Sequence, residues 1–204
     1  VCFFEVSGFD NRNQAVNGIL NIRPTGLSGA KLIEPTVYGD HRGFFMESYQ
    51  EKLWNERGLV YRFVQDNHSL SREAGVLRGL HYQLNPQAQT KLVRVTKGAV
   101  YDVIVDIRRG SPTYGKWEGF ILSADNHRQL LVPRGFAHGF CTLVPDCEVQ
   151  YKVDQYYSQA HDRGIAWNDP ALAIDWPTNT PVLSDKDGRH PLLADADNNF
   201  EYEG

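Results

Sequence analysis

The chain has 204 residues, 23% of them charged and 12% aromatic, with a formal charge of -4. That is enough chain for one sizeable core, and it carries no net basic field, which excludes a nucleic-acid backbone as partner but leaves room for local basic spots that take a small anion. Three cysteines (Cys2, Cys141, Cys147) are too few and odd in number for a disulfide framework, which fits a reducing cytoplasm, and no apolar run reaches the roughly 20 residues that span a bilayer.

Residues 1–25 show weak periodicity and read as an N-terminal extension. They lack the basic flank, apolar centre and cleavage site of an export signal, so a cytoplasmic protein is expected. Residues 26–204 read as a single domain. The pattern firms up at "AKLIEPTVYGDHRGFFMESYQ", two β-rich runs split by a Gly-Asp turn, and a short helix is predicted in "QEKLWNERG". From "RFVQDNHSLS" onward the chain reads as strand after strand: "KLVRVTKGAVYDVIVDIRR", "KWEGFILSA", "RQLLVP", "HGFCTLV" and "CEVQYKVDQYY". Glycines and prolines are spread along the chain, so turns arrive regularly and the fold class is all-β. After Trp167 the chain becomes irregular, and "PVLSDKDGRHPLL" reads as a short helical turn in a tail packed on the body.

In "KLVRVTKGAVYDVIVDIRR", Lys97-Gly98 reads as the turn of a two-residue hairpin. Val95 then faces Val100, Val93 faces Asp102 and Lys91 faces Ile104, so these residues share one face. The other face carries Leu92, Arg94, Tyr101, Val103, Val105 and Ile107. Both faces are largely apolar, which suits a sandwich or barrel with something packed outside it. Lys91 and Asp102 on the inner face would each cost several kcal/mol if unpaired, so they need a reason.

Two local patterns match the cupin jelly roll: a glycine, five residues and a histidine in "GVLRGLHYQ" (Gly75 to His81), and "PRGFAH", ending at His138. Metal-binding cupins place a second histidine two residues on from the first and a glutamate shortly after. Here Gln83 stands in that position and "LNPQAQTK" contains no glutamate, leaving two imidazoles where a Zn or Fe site needs three or four good ligands. A histidine pair converging with Lys91, an aspartate and a tyrosine suggests proton transfer at a carbonyl-activated carbon.

"FVQDNHS", "GVLRGLHYQ", "KLVRVTKGAVYDVIVDIRRGSPTYGKW", "LSADNHRQLLVPRGFAHGF", "YKVDQYY" and "WNDPALAIDWP", in that order, resemble the dTDP-4-dehydrorhamnose 3,5-epimerase family over about residues 31–195. The resemblance implies a cupin-type double-stranded jelly-roll barrel with a few short peripheral helices, and no metal or other cofactor. It implies His81 as general base and Asp187, in "LSDKD", as its orienting partner; Asp169, in "WNDP", reads as structural. It implies Tyr151 as the acid on the opposite face of the sugar, Lys91 beside the keto oxygen, and Asp102 with His138 as its polar support. Arg78 resembles a diphosphate contact, yet in an ideal strand it points away from His81, so a bulge near Gly79 is required. Arg42, Phe45 and Glu47 of "DHRGFFMES", with Gln65 and Asn67, resemble contacts to thymidine and phosphate, partly supplied across a homodimer with exchanged N-terminal strands. Tyr156 resembles the residue stacked on the base. The implied substrate is a dTDP-4-keto-6-deoxyhexose, with no nucleic acid or membrane partner. A single-position epimerase, a metal-dependent cupin using His81 and His138, and a non-catalytic sugar-binding jelly roll are the alternatives.

Overall fold

The computed structural model describes residues 20–203. Its regular part begins with β1 (Asn21–Pro24), inside the stretch read as N-terminal extension, and β1 pairs with β2 (Lys31–Glu34). The two β-rich runs of "AKLIEPTVYGDHRGFFMESYQ" become β2 and a separate hairpin of β3 (Val37–Asp40) with β4 (Gly43–Met46), followed by the expected helix, α1 (Glu51–Glu56). The remaining strands are β5 (Gln65–Ser71), β6 (Leu77–Gln83), β7 (Lys91–Lys97), β8 (Ala99–Asp106), β9 (Trp117–Ser123), β10 (Gln129–Val132), β11 (Phe136–Thr142), β12 (Cys147–Val153) and β13 (Asp162–Gly164). Two 3-10 turns, Asp187–Arg189 and Leu193–Asp195, sit in the tail.

The strands form two antiparallel sheets, a six-stranded one in the order β1-β2-β10-β7-β12-β5 and a five-stranded one in the order β13-β6-β11-β8-β9. Between them lies a core that includes Val93, Val95, Val100, Ile104 and Leu130, each at most 5% exposed. Outside the five-stranded sheet, Leu172, Trp176 and Phe200 of the tail cover Leu77, Val103 and Ile107. Outside the six-stranded sheet, Trp54 of α1 and Leu59 cover Ile33, Leu92 and Leu131. Each sheet is therefore apolar on both faces, as the strand patterns required. This is the cupin-type jelly roll. No helix among the described residues is long and apolar enough to cross a membrane.

The hairpin at Lys97-Gly98 is a correction. β7 pairs with β10 and β12, and β8 with β11 and β9, so the two strands belong to different sheets and the step at Gly98 (φ 77°) is a corner between them. A tight glycine step serves a hairpin or a corner equally well, and the pairing of the other strands decides which. The assignment of faces is unaffected. In both arrangements the reversal switches the inward positions from odd to even numbers, so Lys91, Val93 and Val95 face the same interior as Val100, Asp102 and Ile104.

Candidate active site

The centre of the site is built on an irregularity in β6. Opposite β11, His81 pairs with His138 and Arg78 with Phe140, so three residue steps on β6 match two on β11. The extra residue turns Arg78 and His81, which a regular strand would point to opposite faces, toward the same hollow. Glycine makes this possible on both strands: a Cβ on Gly79 (φ 140°) would stand 2.5 Å from Gly139 Cα, and one on Gly139 2.8 Å from the Arg78 carbonyl oxygen.

His81 Nε2 lies 2.5 Å from Asp187 Oδ1, joining β6 to the first residue of a tail 3-10 turn. This leaves Nδ1 as the basic nitrogen. Burial of the ring lowers its pKa, and Asp187 opposes this only in part, so His81 is neutral near pH 7 and ready to accept a proton. Burial would raise the Asp187 carboxyl, but His190, His81 and Ser184 outweigh it and hold the group well below the usual carboxylate range. Asp169, by contrast, spends its oxygens on the backbone N–H groups of Ala171 and Leu193, a structural role.

Lys91 answers the question its inward position raised. Its Nζ donates to the His81 carbonyl oxygen at 3.3 Å, and burial lowers its pKa to about 8 against the opposing pull of Asp102 and Asp162. Asp102, fully buried, accepts from His138 Nε2 at 2.9 Å and 3.0 Å on its two oxygens. Tyr151 faces His81 from the other sheet. Burial raises its phenol, with Asp162 adding and the Arg78 cation subtracting, so it keeps its proton at neutral pH. His81, Lys91 and Tyr151 line two adjoining hollows of about 200 and 170 Å³; Asp162, Lys186 and Tyr157 border the first, and Arg78, His138 and Asp187 the second.

The remaining predicted residues are spread out. Asn67 pairs with Tyr151 across β5 and β12, and Gln65 bonds both Asn67 Oδ1 and the Tyr157 backbone N–H. Tyr156 lines neither hollow, whereas its neighbour Tyr157 borders one and donates to Asp162 at 3.1 Å. Arg42, Phe45 and Glu47 are not brought to the hollow of their own chain. They lie on or beside the β3–β4 hairpin, where Arg42 pairs with Asp40 and Phe45 is 67% exposed.

His190, Asp162, Lys186 and Tyr157 escaped the sequence reading. His190 follows Asp187 by three positions in a helical turn, a spacing that puts both on one side and could have revealed it; its ring packs edge-on against His81 at 5.5 Å between centroids. Asp162 and Lys186 form an ion pair at the rim, for which the sequence carries no signal. Gln83, standing where a cupin would place a metal ligand, clamps the loop bearing Tyr157: its Nε2 donates to the carbonyls of Gln87 and Tyr156, and its Oε1 accepts from Ser158 N–H. With that amide committed and His138 turned to Asp102, the cupin ligand positions do not fit a metal.

An imidazole on one sheet and a phenol on the other, with an ammonium lining the same hollows, can take a proton from one face of a ketone-activated carbon and return one to the opposite face. The class defined is a jelly-roll isomerase, an epimerase. Residues 24–195 match the family described as dTDP-4-dehydrorhamnose 3,5-epimerase, and the chain belongs to that family. A Shigella flexneri dTDP-4-dehydrorhamnose 3,5-epimerase is 53% identical over 179 residues, 87% of this chain and 98% of the relative. A solved Legionella pneumophila 3,5-epimerase, in complex with dTDP-4-keto-L-rhamnose, is 49% identical and superposes with a TM-score of 0.87, covering 91% of this chain and 100% of that one. A Streptomyces niveus dTDP-4-dehydrorhamnose 3-epimerase is 41% identical over 178 residues, 87% of this chain and 86% of the relative.

Proposed function

We propose that the chain inverts the 3- and 5-positions of dTDP-4-keto-6-deoxy-D-glucose to give dTDP-4-keto-L-rhamnose. The observation that carries this is the approach of His81 and Tyr151 to one hollow from opposite sheets. His81 Nδ1 takes the proton from the carbon beside the ketone; Asp187 holds Nε2–H and stabilises the imidazolium. The electron pair left on carbon moves onto the keto oxygen, and the Lys91 ammonium stabilises that enolate. Tyr151 delivers its proton to the other face, and water restores phenol and imidazole. The 4-keto group acidifies both neighbouring carbons, so one pair of groups serves each in turn.

Arg78 at the edge of the hollow suits the diphosphate, and Gln65, Asn67 and Tyr157 suit the thymidine. The protein acts as a cytoplasmic homodimer in which the β3–β4 hairpin brings Arg42, Phe45 and Glu47 to the partner's site. Supporting this, Tyr38, Phe44 and Phe45 on that hairpin are all more than half exposed, and the outer face of the six-stranded sheet holds a hollow of about 350 Å³ lined by Arg94 and Gln129. Arg94 Nε and Gln129 Oε1 are buried there without hydrogen-bond partners. Single epimerisation at the 3-position is the second reading, favoured by the Streptomyces niveus relative. The test is nuclear magnetic resonance of the substrate in deuterated buffer with the protein. Deuterium is expected at both the 3- and 5-positions; exchange at one alone supports the second reading, and exchange at neither contradicts both.

A further inference from the structure

His190 has no part in the proton transfer above, yet it occupies a built position beside it. Its side chain is 9% exposed, and its ring lies against Gly164, where a Cβ would stand 2.4 Å from the ring atoms. Gly164 itself pairs with His81 across β13 and β6, so the imidazole is seated directly behind the base. Its Nε2 is buried and stands 3.4 Å from Asp187 Oδ1, close enough to pair with the carboxylate but not aligned for a hydrogen bond. A buried nitrogen held this loosely gains from a closer partner.

We propose that His81 Nε2, Asp187 Oδ1 and His190 Nε2 form a binding site for a Zn²⁺-type divalent cation, and that its occupancy switches the epimerase off. The three side chains offer ligand atoms that all lie within 4.8 Å of one another. Two histidines and a carboxylate are a standard donor set for such an ion, with a water from the hollow completing four-coordination. Ligands about 2.05 Å from a tetrahedral Zn²⁺ stand about 3.3 Å apart. The Asp187–His190 separation of 3.4 Å already matches that spacing, while His81 and Asp187, at 2.5 Å, must part by roughly 0.8 Å. This set differs from the cupin motif set, sharing only His81 with it.

The inhibition follows from the tautomer. In the active arrangement Nε2 carries the ring proton and Nδ1 the lone pair that attacks the substrate's C–H. A cation on Nε2 takes the lone pair there, so the ring's single proton moves to Nδ1. No proton is gained or lost, but the base no longer has a nitrogen free to accept one.

The functional part of this inference rests on the proposed epimerase reading; the site does not. Isothermal titration calorimetry with ZnCl₂ on the metal-stripped full chain reads binding directly, and the deuterium-exchange rate with and without Zn²⁺, and after added chelator, reads its consequence. The wild type is expected to bind one Zn²⁺ per chain with reversible loss of at least nine-tenths of the exchange rate. His190→Phe, which keeps the ring against Gly164, and His190→Gln are each expected to weaken binding by roughly tenfold or more. Thermal melts establish that each variant is folded. No binding to the wild type, or equal binding to a folded variant, would overturn the site. Zn²⁺ bound through His190 without loss of exchange would overturn the switch. Zn²⁺ bound through His190 by a chain that exchanges nothing even when metal-free would uphold the site and sink the epimerase reading instead.

Discussion

At the residue scale, the chemistry depends on three ionisable groups kept in different protonation states at one pH. Burial lowers His81, lowers Lys91 to about 8 and raises Tyr151, so near neutrality the site holds a free base, a cation and a protonated acid together. The sign of the pH dependence follows. Lys91 must be charged to stabilise the enolate, and it loses its proton as pH rises, so kcat/KM is expected to fall above about pH 8, by roughly tenfold per unit. The raised phenol cannot cause that limb. A pH profile of Lys91→Gln should lack the limb and run about 100-fold below the wild-type plateau. His81→Asn is expected to abolish deuterium exchange at both carbons, while Tyr151→Phe impairs inversion more than exchange; equal loss of the two in the tyrosine variant would contradict its role as the second-face acid.

At the scale of elements, the site exists because β6 departs from regular alternation where it meets β11. Gly79 and Gly139 allow the two backbones to approach, and the gained residue turns Arg78 toward His81. Gly79→Ala would force a methyl to within 2.5 Å of Gly139 Cα. The expected result is a loss of about 2 kcal/mol or more in urea-unfolding free energy, with a larger fractional loss of exchange than of nucleotide binding. The glycines and the required bulge were visible in "GVLRGLHYQ", since the parity conflict between Arg78 and His81 can be counted on the sequence. The same counting placed Lys91 and Asp102 inside the barrel although the hairpin inferred with them does not form, because period-2 alternation survives a change of pairing partner. Tyr156 and Tyr157 could not be separated in this way. They follow the end of β12, where alternation no longer applies and the Gln83 amide sets the path of the loop.

For the whole molecule, the hairpin bearing Arg42, Phe45 and Glu47 lines no hollow with its own His81, and in the proposed dimer a second copy completes the site. An Arg42→Ala chain and a His81→Asn chain each form impaired homodimers, but a mixed dimer contains one site with His81 from the first and Arg42 from the second. Unfolding and refolding an equal mixture is expected to restore about a quarter of wild-type exchange, the statistical share of intact sites in a two-fold dimer. A mixture no more active than the average of its parents would place the hairpin outside catalysis.

The sequence by itself determined the all-β class and the inward and outward faces of the strands, and its motifs carried the resemblance to the family. The class and the faces follow from spacing along the chain, which side-chain alternation and turn chemistry convert directly into local structure. The tertiary structure decided which strands pair, which of two adjacent tyrosines meets the hollow, that His190 backs the base, and that the hairpin stands away from its own site. Those outcomes depend on distances between segments far apart in the chain, where burial and packing select one arrangement among several that are locally equivalent.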